Sequence, residues 1–240
     1  MTTSAPASRA LPVIAIDGPG GAGKSTVARE LARRLGWRYL DSGAMYRAVT
    51  VAVLEAGVAP ADQAAVAATA LRAAVLVNTD PDDSWTSLDG TVVTERIRSR
   101  RVTNAVSAVS AVPDVRSLLL SRLRSIVGPG AIVVEGRDIG TTVVPDAEVK
   151  IFLTADAAAR AERRHRESTG DDQADLHVVH NEITRRDELD TGRTESPLAR
   201  ADDAIEIDAT TMSIEDVVFA VLQRCEAFVP AAAGRIEADA

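Results

Sequence analysis

The chain has 240 residues, of which 46% are hydrophobic and 26% are charged, a composition that supports a sizeable core and excludes a disordered protein. Its formal net charge of −8 argues against nucleic acid or an anionic membrane surface as the main partner, so any phosphate binding must be local. The single cysteine, Cys225, excludes an intramolecular disulfide and a cysteine-cluster metal site.

The first predicted elements are a strand at 12–17, a glycine-rich loop and a helix at 24–35. The loop reads Gly18-Pro19-Gly20-Gly21-Ala22-Gly23-Lys24-Ser25 and fits the pattern G-x-x-x-x-G-K-[ST]. Such a loop turns backbone N–H groups towards an anion, and the helix behind it adds the positive end of its dipole. The pattern predicts a nucleotide site in which Lys24 contacts the β- and γ-phosphates and the Ser25 hydroxyl binds magnesium.

The rest of the chain alternates strand and helix patterns, which is typical of an α/β fold with a mostly parallel sheet between helices. Further core strands are predicted at 37–41, 131–135, 148–153 and 204–208, and helices at 43–56, 115–127, 156–168, 175–189 and 213–228, with the alanine-rich stretch 59–74 as another helix candidate. Residues 74–94 instead predict a small antiparallel sheet with Asp89-Gly90 as a hairpin turn. We therefore expect one domain over 11–229, with a five-stranded parallel sheet, a β insert beside the site, and flexible tails at 1–10 and 230–240.

Three further segments bring charged side chains to the edge of the sheet where ligands bind in open α/β folds. Asp41–Arg47 follows the second strand, and Glu135–Thr141 follows the third. Arg186, Asp190 and Arg193 are spaced at i, i+4 and i+7, so they share one face of a helical segment. These charged side chains together predict a binding site for a second phosphorylated molecule.

Together with the phosphate-binding loop, these segments resemble the bacterial cytidylate kinases, within the nucleoside monophosphate kinases, over roughly Pro12 to Phe228. The resemblance implies a P-loop kinase core, a monophosphate-binding lobe at about 42–115 that carries the β insert, and a lid at about 160–176. It implies phosphoryl transfer from ATP to CMP or dCMP with Mg²⁺. We also expect a cytoplasmic monomer with no nucleic acid polymer or membrane as partner, since Met1–Ala10 lacks a secretory segment and no apolar run has the length of a membrane span.

The same resemblance implies roles for individual residues. Arg47, Arg137 and Arg193 hold the CMP phosphate, Ser107, Arg116 and Asp138 read cytosine, and Ser42, Tyr46, Arg186 and Asp190 line the nucleotide, with Asp190 towards the ribose hydroxyls. The ATP ligands are Gly18, Pro19, Gly20, Gly21, Ala22, Gly23, Lys24, Ser25 and Thr26, joined by Arg160, Arg163 and Arg164 of the lid with its loop Ser168–Asp175. Lys24, Arg137, Arg163 and Arg193 neutralise the transferring group. The magnesium ligand is Ser25 or Thr26, with Glu135 reaching the ion through water.

Two alternatives stay open, because a phosphate-binding loop does not say what happens to the nucleotide. One is a P-loop kinase for another small acceptor, such as UMP, AMP or a hydroxylated metabolite. The other is a nucleotide-dependent switch that hydrolyses ATP slowly, which would have no need of Arg47, Arg137 and Arg193 around an acceptor. The lid arginines, at i, i+3 and i+4, would equally suit a solvated helix face paired with Glu162 and Glu167.

Overall fold

The computed structural model describes residues 11–167 and 175–226, in which strands and helices alternate. The first half contains β1 (Val13–Asp17), α1 (Lys24–Leu35), β2 (Arg38–Asp41), α2 (Ser42–Glu55), α3 (Gln63–Arg72), β3 (Val75–Val77), β4 (Thr86–Leu88), β5 (Thr91–Val92), a 3₁₀ turn (Arg96–Arg98), α4 (Arg100–Ser110) and α5 (Pro113–Val127). The second half contains β6 (Ile132–Gly136), a π-helical turn (Ile139–Val143), β7 (Val149–Thr154), α6 (Ala157–Glu167), α7 (Leu176–Thr191), β8 (Ile205–Asp208) and α8 (Ile214–Cys225).

The main sheet has five parallel strands in the order β2-β6-β1-β7-β8, which confirms the predicted core. Asp17 is level with Gly136 on the neighbouring strand, and Asp41 is level with Glu135. The carboxyl ends of β1, β2 and β6 therefore meet at one edge. Because ligands of open α/β sheets bind at this edge, the loops that follow these strands define the site.

Two hydrophobic cores cover the two faces of this sheet, because successive side chains of a strand point to opposite faces. On β1, Val13 and Ala15 pack with α2, α4 and α5, while Ile14 and Ile16 pack with α1 and α8. Both faces of the strand are buried, which is usual where helices flank a parallel sheet on both sides. The continuous apolar run of β1 is thereby explained.

The β insert forms a second sheet in the order β3-β4-β5, with antiparallel pairing as predicted. Asp89 (φ 49°) and Gly90 (φ 82°) make the predicted two-residue turn, in which both residues need positive φ. The insert packs on α2 and is joined to the core by a backbone hydrogen bond of 2.8 Å from Tyr39 N–H to the carbonyl of Thr79.

Helix α4 is absent from the helices that the sequence pattern predicts, although Val102, Val106 and Val109 mark its buried face at i, i+4 and i+7. The other predicted helices are present with ends shifted by at most three residues, and α3 lies within the alanine-rich stretch. Among the described residues, no helix has both the length and the apolar character that crossing a membrane requires. The predicted tails at 1–10 and 230–240 and most of the lid loop, residues 168–174, lie outside the described ranges.

Candidate active site

A cleft opens at the carboxyl ends of β1, β2 and β6, between the glycine-rich loop, α2, α4 and α7. It brings together most of the predicted site residues, although they lie far apart in the chain. Its walls include Gly20, Gly21, Lys24, Ser25, Ser42, Tyr46, Arg47, Arg116, Glu135, Arg137, Asp138, Arg164, Arg186, Asp190 and Arg193.

The glycine-rich loop joins the end of β1 to Lys24, the first residue of α1. Gly18 has φ +147°, and a Cβ atom there would lie 1.9 Å from the carbonyl oxygen of Leu153, so no other residue fits. Gly21 has φ +79°, and its Cβ position lies 3.1 Å from the backbone oxygen of Arg160. Glycine is therefore required at both positions by conformation and by close packing.

Lys24 is buried within this loop, where its ammonium group donates a 2.8 Å hydrogen bond to the carbonyl of Pro19. Burial, together with the nearby charge of Arg137, lowers the pKa of Lys24 to about 7, against the opposing effect of Glu135. The nearby carboxylates do not fully neutralise the positive charge of this buried ammonium group and of the neighbouring arginine. The electrostatics therefore favour an anion in this part of the cleft.

The Ser25 hydroxyl donates a short hydrogen bond to Oε1 of Glu135, which also accepts a 3.2 Å bond from the hydroxyl of Tyr39. Burial and the neighbouring Asp41 carboxylate raise the pKa of Glu135. A hydroxyl and a carboxylate side by side at the phosphate-binding loop are the oxygen donors that Mg²⁺ prefers, so these residues fit a magnesium ion. Thr26 is exposed and faces the adjoining groove, which favours Ser25 as the hydroxyl of this pair.

Asp190 is the centre of the arginine cluster. It is 1% exposed, and it accepts hydrogen bonds from Arg137 Nε (3.0 Å) and from Arg193 Nη2, with Arg186 Nε at 3.7 Å. Ser107 adds a bond of 3.1 Å to Oδ1. Burial alone would raise the pKa of Asp190, but the guanidinium groups outweigh it and hold the pKa below its usual value. One carboxylate thus orients several cations towards the cleft.

The cluster carries more positive than negative charge. Arg47 donates to the carbonyl of Ile97 (3.0 Å) and to the Thr103 hydroxyl (2.8 Å), and no carboxylate is among its hydrogen-bond partners in the described residues. Burial and the charges of Arg186 and Arg164 lower the pKa of Arg47, and burial with the charge of Arg137 lowers that of Arg186 to about 10. The Nε atoms of Arg186 and Arg193 are buried with no hydrogen-bond partner among the described residues. A phosphate dianion would relieve this excess of donors and positive charge.

The predicted cytosine readers form a second group beside the arginines. Arg116 pairs with Asp138 through a short, buried ion pair and donates to the carbonyl of Ser110 (3.2 Å). Its guanidinium lies 5.5 Å from the centre of the Tyr46 ring. Ser107, the third predicted reader, turns instead towards Asp190 and lines an adjoining cavity between α4 and α7.

The predicted lid arginines differ in their surroundings. Arg160 is buried and donates to Gly20 O (3.1 Å), Ala155 O (2.9 Å) and Asp187 Oδ2 (2.6 Å). Arg163 donates to the carbonyls of Ala22, Ala209 and Thr210. Arg164 lines the cleft. The first two therefore hold the base of the lid against the phosphate-binding loop in this structure.

Two residues of the site region, Asp17 and Arg98, are absent from the sequence prediction, which includes Asp41 in the charged segment Asp41–Arg47 without giving it a role. Asp17 accepts hydrogen bonds from the N–H groups of Ile139 (2.8 Å) and Gly140 (2.7 Å). Asp41 caps α2 by accepting from Ala44 N–H (3.0 Å) and lies 3.8 Å from Arg98, which is 47% exposed at the mouth of the cleft. Asp17 and Asp41 end their strands at the ligand edge of the sheet, a signal that the sequence contains. Arg98 follows the insert and has no comparable signal.

Comparisons with known proteins agree with this arrangement. The sequence model of a family described as "Cytidylate kinase" matches residues 14–227. A cytidylate kinase of Nocardia farcinica is 51% identical over 211 residues, covering 86% of this chain and 90% of that protein. One of Streptomyces griseus is 45% identical over 228 residues, covering 94% and 97%. An uncharacterized protein from Eubacterium ventriosum has a similar structure, with a TM-score of 0.50 and 12% identity over 90% of this chain and 98% of that chain, a likeness of fold alone.

Proposed function

The chain belongs to the cytidylate kinase family, and we propose that it transfers the γ-phosphoryl group of ATP to CMP or dCMP, which yields ADP and CDP or dCDP. The observation that carries this proposal is the cluster of Arg137, Arg186 and Arg193 around the Asp190 carboxylate, with Arg47 lining the same cleft, directly beside a phosphate-binding loop. A loop alone would suit any nucleotide-binding protein. A second anion site next to it suits a kinase whose acceptor is itself a phosphate.

Arg47, Arg137 and Arg193 hold the acceptor phosphate, with Arg186 contributing further positive charge. Three of these groups have an ordered partner in Asp190, so their orientation is fixed before the substrate arrives. Fixed donors lose little freedom on binding, which strengthens the grip on the dianion. Asp190 also accepts from the ribose hydroxyls, because a carboxylate offers about four lone-pair sites and only Arg137, Arg193 and Ser107 donate hydrogen bonds to it among the described residues.

Asp138 and Arg116 read the cytosine edge, with Tyr46 and Ser42 along the nucleotide. The exocyclic amino group of cytosine donates to a carboxylate, while its ring nitrogen and carbonyl accept from a guanidinium. UMP presents a carbonyl where CMP presents the amino group, so Asp138 would then face an acceptor. Selection follows from leaving buried polar groups unpaired with the wrong base. Ser107, the third predicted reader, donates to Asp190 and therefore contributes through that carboxylate.

The donor phosphates occupy the loop from Gly18 to Thr26, where Lys24 contacts the β- and γ-phosphates. Ser25, and Glu135 through water, would hold a magnesium ion, which would neutralise part of the phosphate charge. An oxygen of the CMP phosphate attacks the γ-phosphorus, and the bond from that phosphorus to the β,γ-bridging oxygen breaks, so ADP leaves with the bond's electrons. The acceptor is already ionised, so no general base is needed. Lys24, Arg137, Arg163 and Arg193 stabilise the transferring group by position and charge.

We propose that the lid at about 160–176 closes over ATP and excludes water, which would otherwise accept the phosphoryl group. Arg164 reaches the phosphates directly from the wall of the cleft. Arg160 and Arg163 join it after leaving their carbonyl partners. The lobe at about 42–115 and the remainder of 11–229 act as one catalytic unit, which we propose to be a cytoplasmic monomer whose partners are these small molecules.

The test is a coupled assay for ADP formation with ATP fixed and CMP, dCMP, UMP and AMP varied. We expect saturable turnover with CMP and dCMP and much lower kcat/KM with UMP and AMP. Preferred turnover of UMP or AMP would assign a different acceptor. ATP hydrolysis that is unaffected by every acceptor would indicate a nucleotide switch instead of a kinase.

A further inference from the structure

We infer that Asp17 is a positioning residue for acceptor recognition, because it caps the turn that presents Arg137 and Asp138 and thereby leaves the Asp138 side chain available to the substrate. The inference rests on the proposed function, since it concerns how that site selects its acceptor. Asp17 ends β1, immediately before the phosphate-binding loop, and is level with Gly136 at the end of β6.

The capped element is the π-helical turn Ile139–Val143. The first N–H groups of any helical turn lack a partner within it. Here those of Ile139 and Gly140 donate to Oδ1 and Oδ2 of Asp17 at 2.8 and 2.7 Å. Both oxygens of this buried carboxylate are thus used, one on each N–H group.

Asp138 occupies the position from which an aspartate usually caps a helix with its own side chain. It makes no such bond, and its carboxylate pairs with Arg116 in the cleft. Its backbone carbonyl meanwhile accepts from Thr142 N–H (2.9 Å) and Val143 N–H (3.1 Å), so the residue does begin the turn. Asp17, at the end of the neighbouring strand β1, therefore caps the turn in place of the Asp138 side chain.

Asp17 can reach these N–H groups because Gly140 has no side chain. A Cβ atom at Gly140 would lie 3.2 Å from Cδ of Lys150, which is closer than an ordinary van der Waals contact. It would lie 3.4 Å from Oδ2 of Asp17, which is at the lower limit of such a contact. The π-helical turn thus rests directly on the end of β1. The phosphate-binding loop directly follows β1. The hydrogen bonds of Asp17 therefore hold the segment with Arg137 and Asp138 in a fixed position relative to the ATP site.

Replacing Asp17 should release the Asp138 side chain to cap the turn, at the expense of its pairing in the cleft. Asp17→Asn keeps the shape but can accept from only one N–H group well, because its amide presents donors to the other. Asp17→Ala removes the cap altogether. We expect both variants to lose cytosine discrimination while the phosphate-binding loop, whose Lys24 and Ser25 hydrogen bonds do not involve Asp17, still binds ATP.

The experiment measures kcat and KM for CMP, UMP and ATP, calorimetric CMP binding without ATP, and the melting temperature. For both variants we expect the CMP-to-UMP ratio of kcat/KM to fall roughly fivefold or more, CMP binding to weaken, and KM for ATP to stay within about twofold. Asp216→Asn is the matched control, since Asp216 also accepts from a backbone N–H, that of Ser213 (3.1 Å), and from the Ser213 hydroxyl (2.6 Å), at the start of α8. It should leave the ratio unchanged.

Either of two outcomes would overturn the inference: a lower melting temperature with an unchanged CMP-to-UMP ratio, or a raised KM for ATP with that ratio unchanged. If neither variant folds, the ratio is measured for Asp17→Glu, which keeps the charge but displaces it by one methylene group, and an unchanged ratio there would equally overturn it. A wild-type protein that does not phosphorylate CMP would instead refute the proposed function, so the two failures are distinguishable.

Discussion

Asp190→Asn tests the idea that one buried carboxylate organises the arginine cluster. The substitution keeps the volume and a hydrogen bond to Ser107 but removes the negative charge that faces Arg137, Arg186 and Arg193. Each guanidinium attracts a carboxylate about 4 Å away by about 4 kcal/mol at an effective dielectric constant of about 20. The cost of desolvating the carboxylate, several kcal/mol, offsets part of that sum.

Measured losses on breaking buried ion pairs are about 3–5 kcal/mol, and we expect a loss of that size here because Asp190 is 1% exposed. For a chain of this length such a loss lowers the melting temperature by roughly 6–20 °C. The cluster then lacks its internal anion, so an external one should compensate. Inorganic phosphate or CMP should therefore raise the melting temperature of Asp190→Asn more than that of the wild type.

The assay is thermal unfolding with and without inorganic phosphate, and with and without CMP, together with chemical denaturation to obtain the free energy of unfolding. Glu206→Gln is the control, because Glu206 and Arg200 form an ion pair on the surface with side chains 50% and 51% exposed. Its loss should change the free energy of unfolding by less than about 1 kcal/mol. A change for Asp190→Asn as small as that of the control, or equal stabilisation of wild type and variant by phosphate, would refute the reasoning.

The remaining predictions concern the phosphate-binding loop and the different roles of Asp138 and Arg193 in binding the acceptor. Lys24→Ala should remove most phosphoryl transfer while CMP binding and folding stay near those of the wild type, so wild-type turnover would contradict its role. Because the pKa of free Lys24 is about 7 and bound phosphate should raise it, ATP binding at pH 8 should take up a proton at Lys24 and weaken as pH rises. Calorimetry in buffers of different ionisation enthalpy should show less proton uptake for Lys24→Ala. Asp138→Ala should lower the CMP-to-UMP ratio of kcat/KM by roughly 5- to 150-fold, whereas Arg193→Ala should slow all acceptors alike; the reverse pattern would exchange their roles.

Much of the fold follows from local sequence patterns. The apolar run of β1, the glycines before Lys24 and the helical spacing after them each act over a few residues, so the strand, loop and helix can be read without a structure. The Asp89-Gly90 turn is equally local, because positive φ at both positions selects the residues. The sequence pattern does not predict α4, although its valines lie at i, i+4 and i+7, because β-branched residues and a polar first turn weaken the helical signal.

Residue types and their spacing are enough to identify the chemical groups of the site: a phosphate-binding loop, arginines at strand ends, and carboxylates beside them. How those groups are paired becomes visible only in the folded chain. Local patterns do not show that Arg160 donates to Gly20 O and pairs with Asp187 in this structure, or that Asp17 caps the turn after Asp138 from another strand. The reason is physical: local patterns depend on dihedral preferences and periodicity along the chain, whereas the partner of a buried charge is set by distances between segments that meet only when the sheet forms.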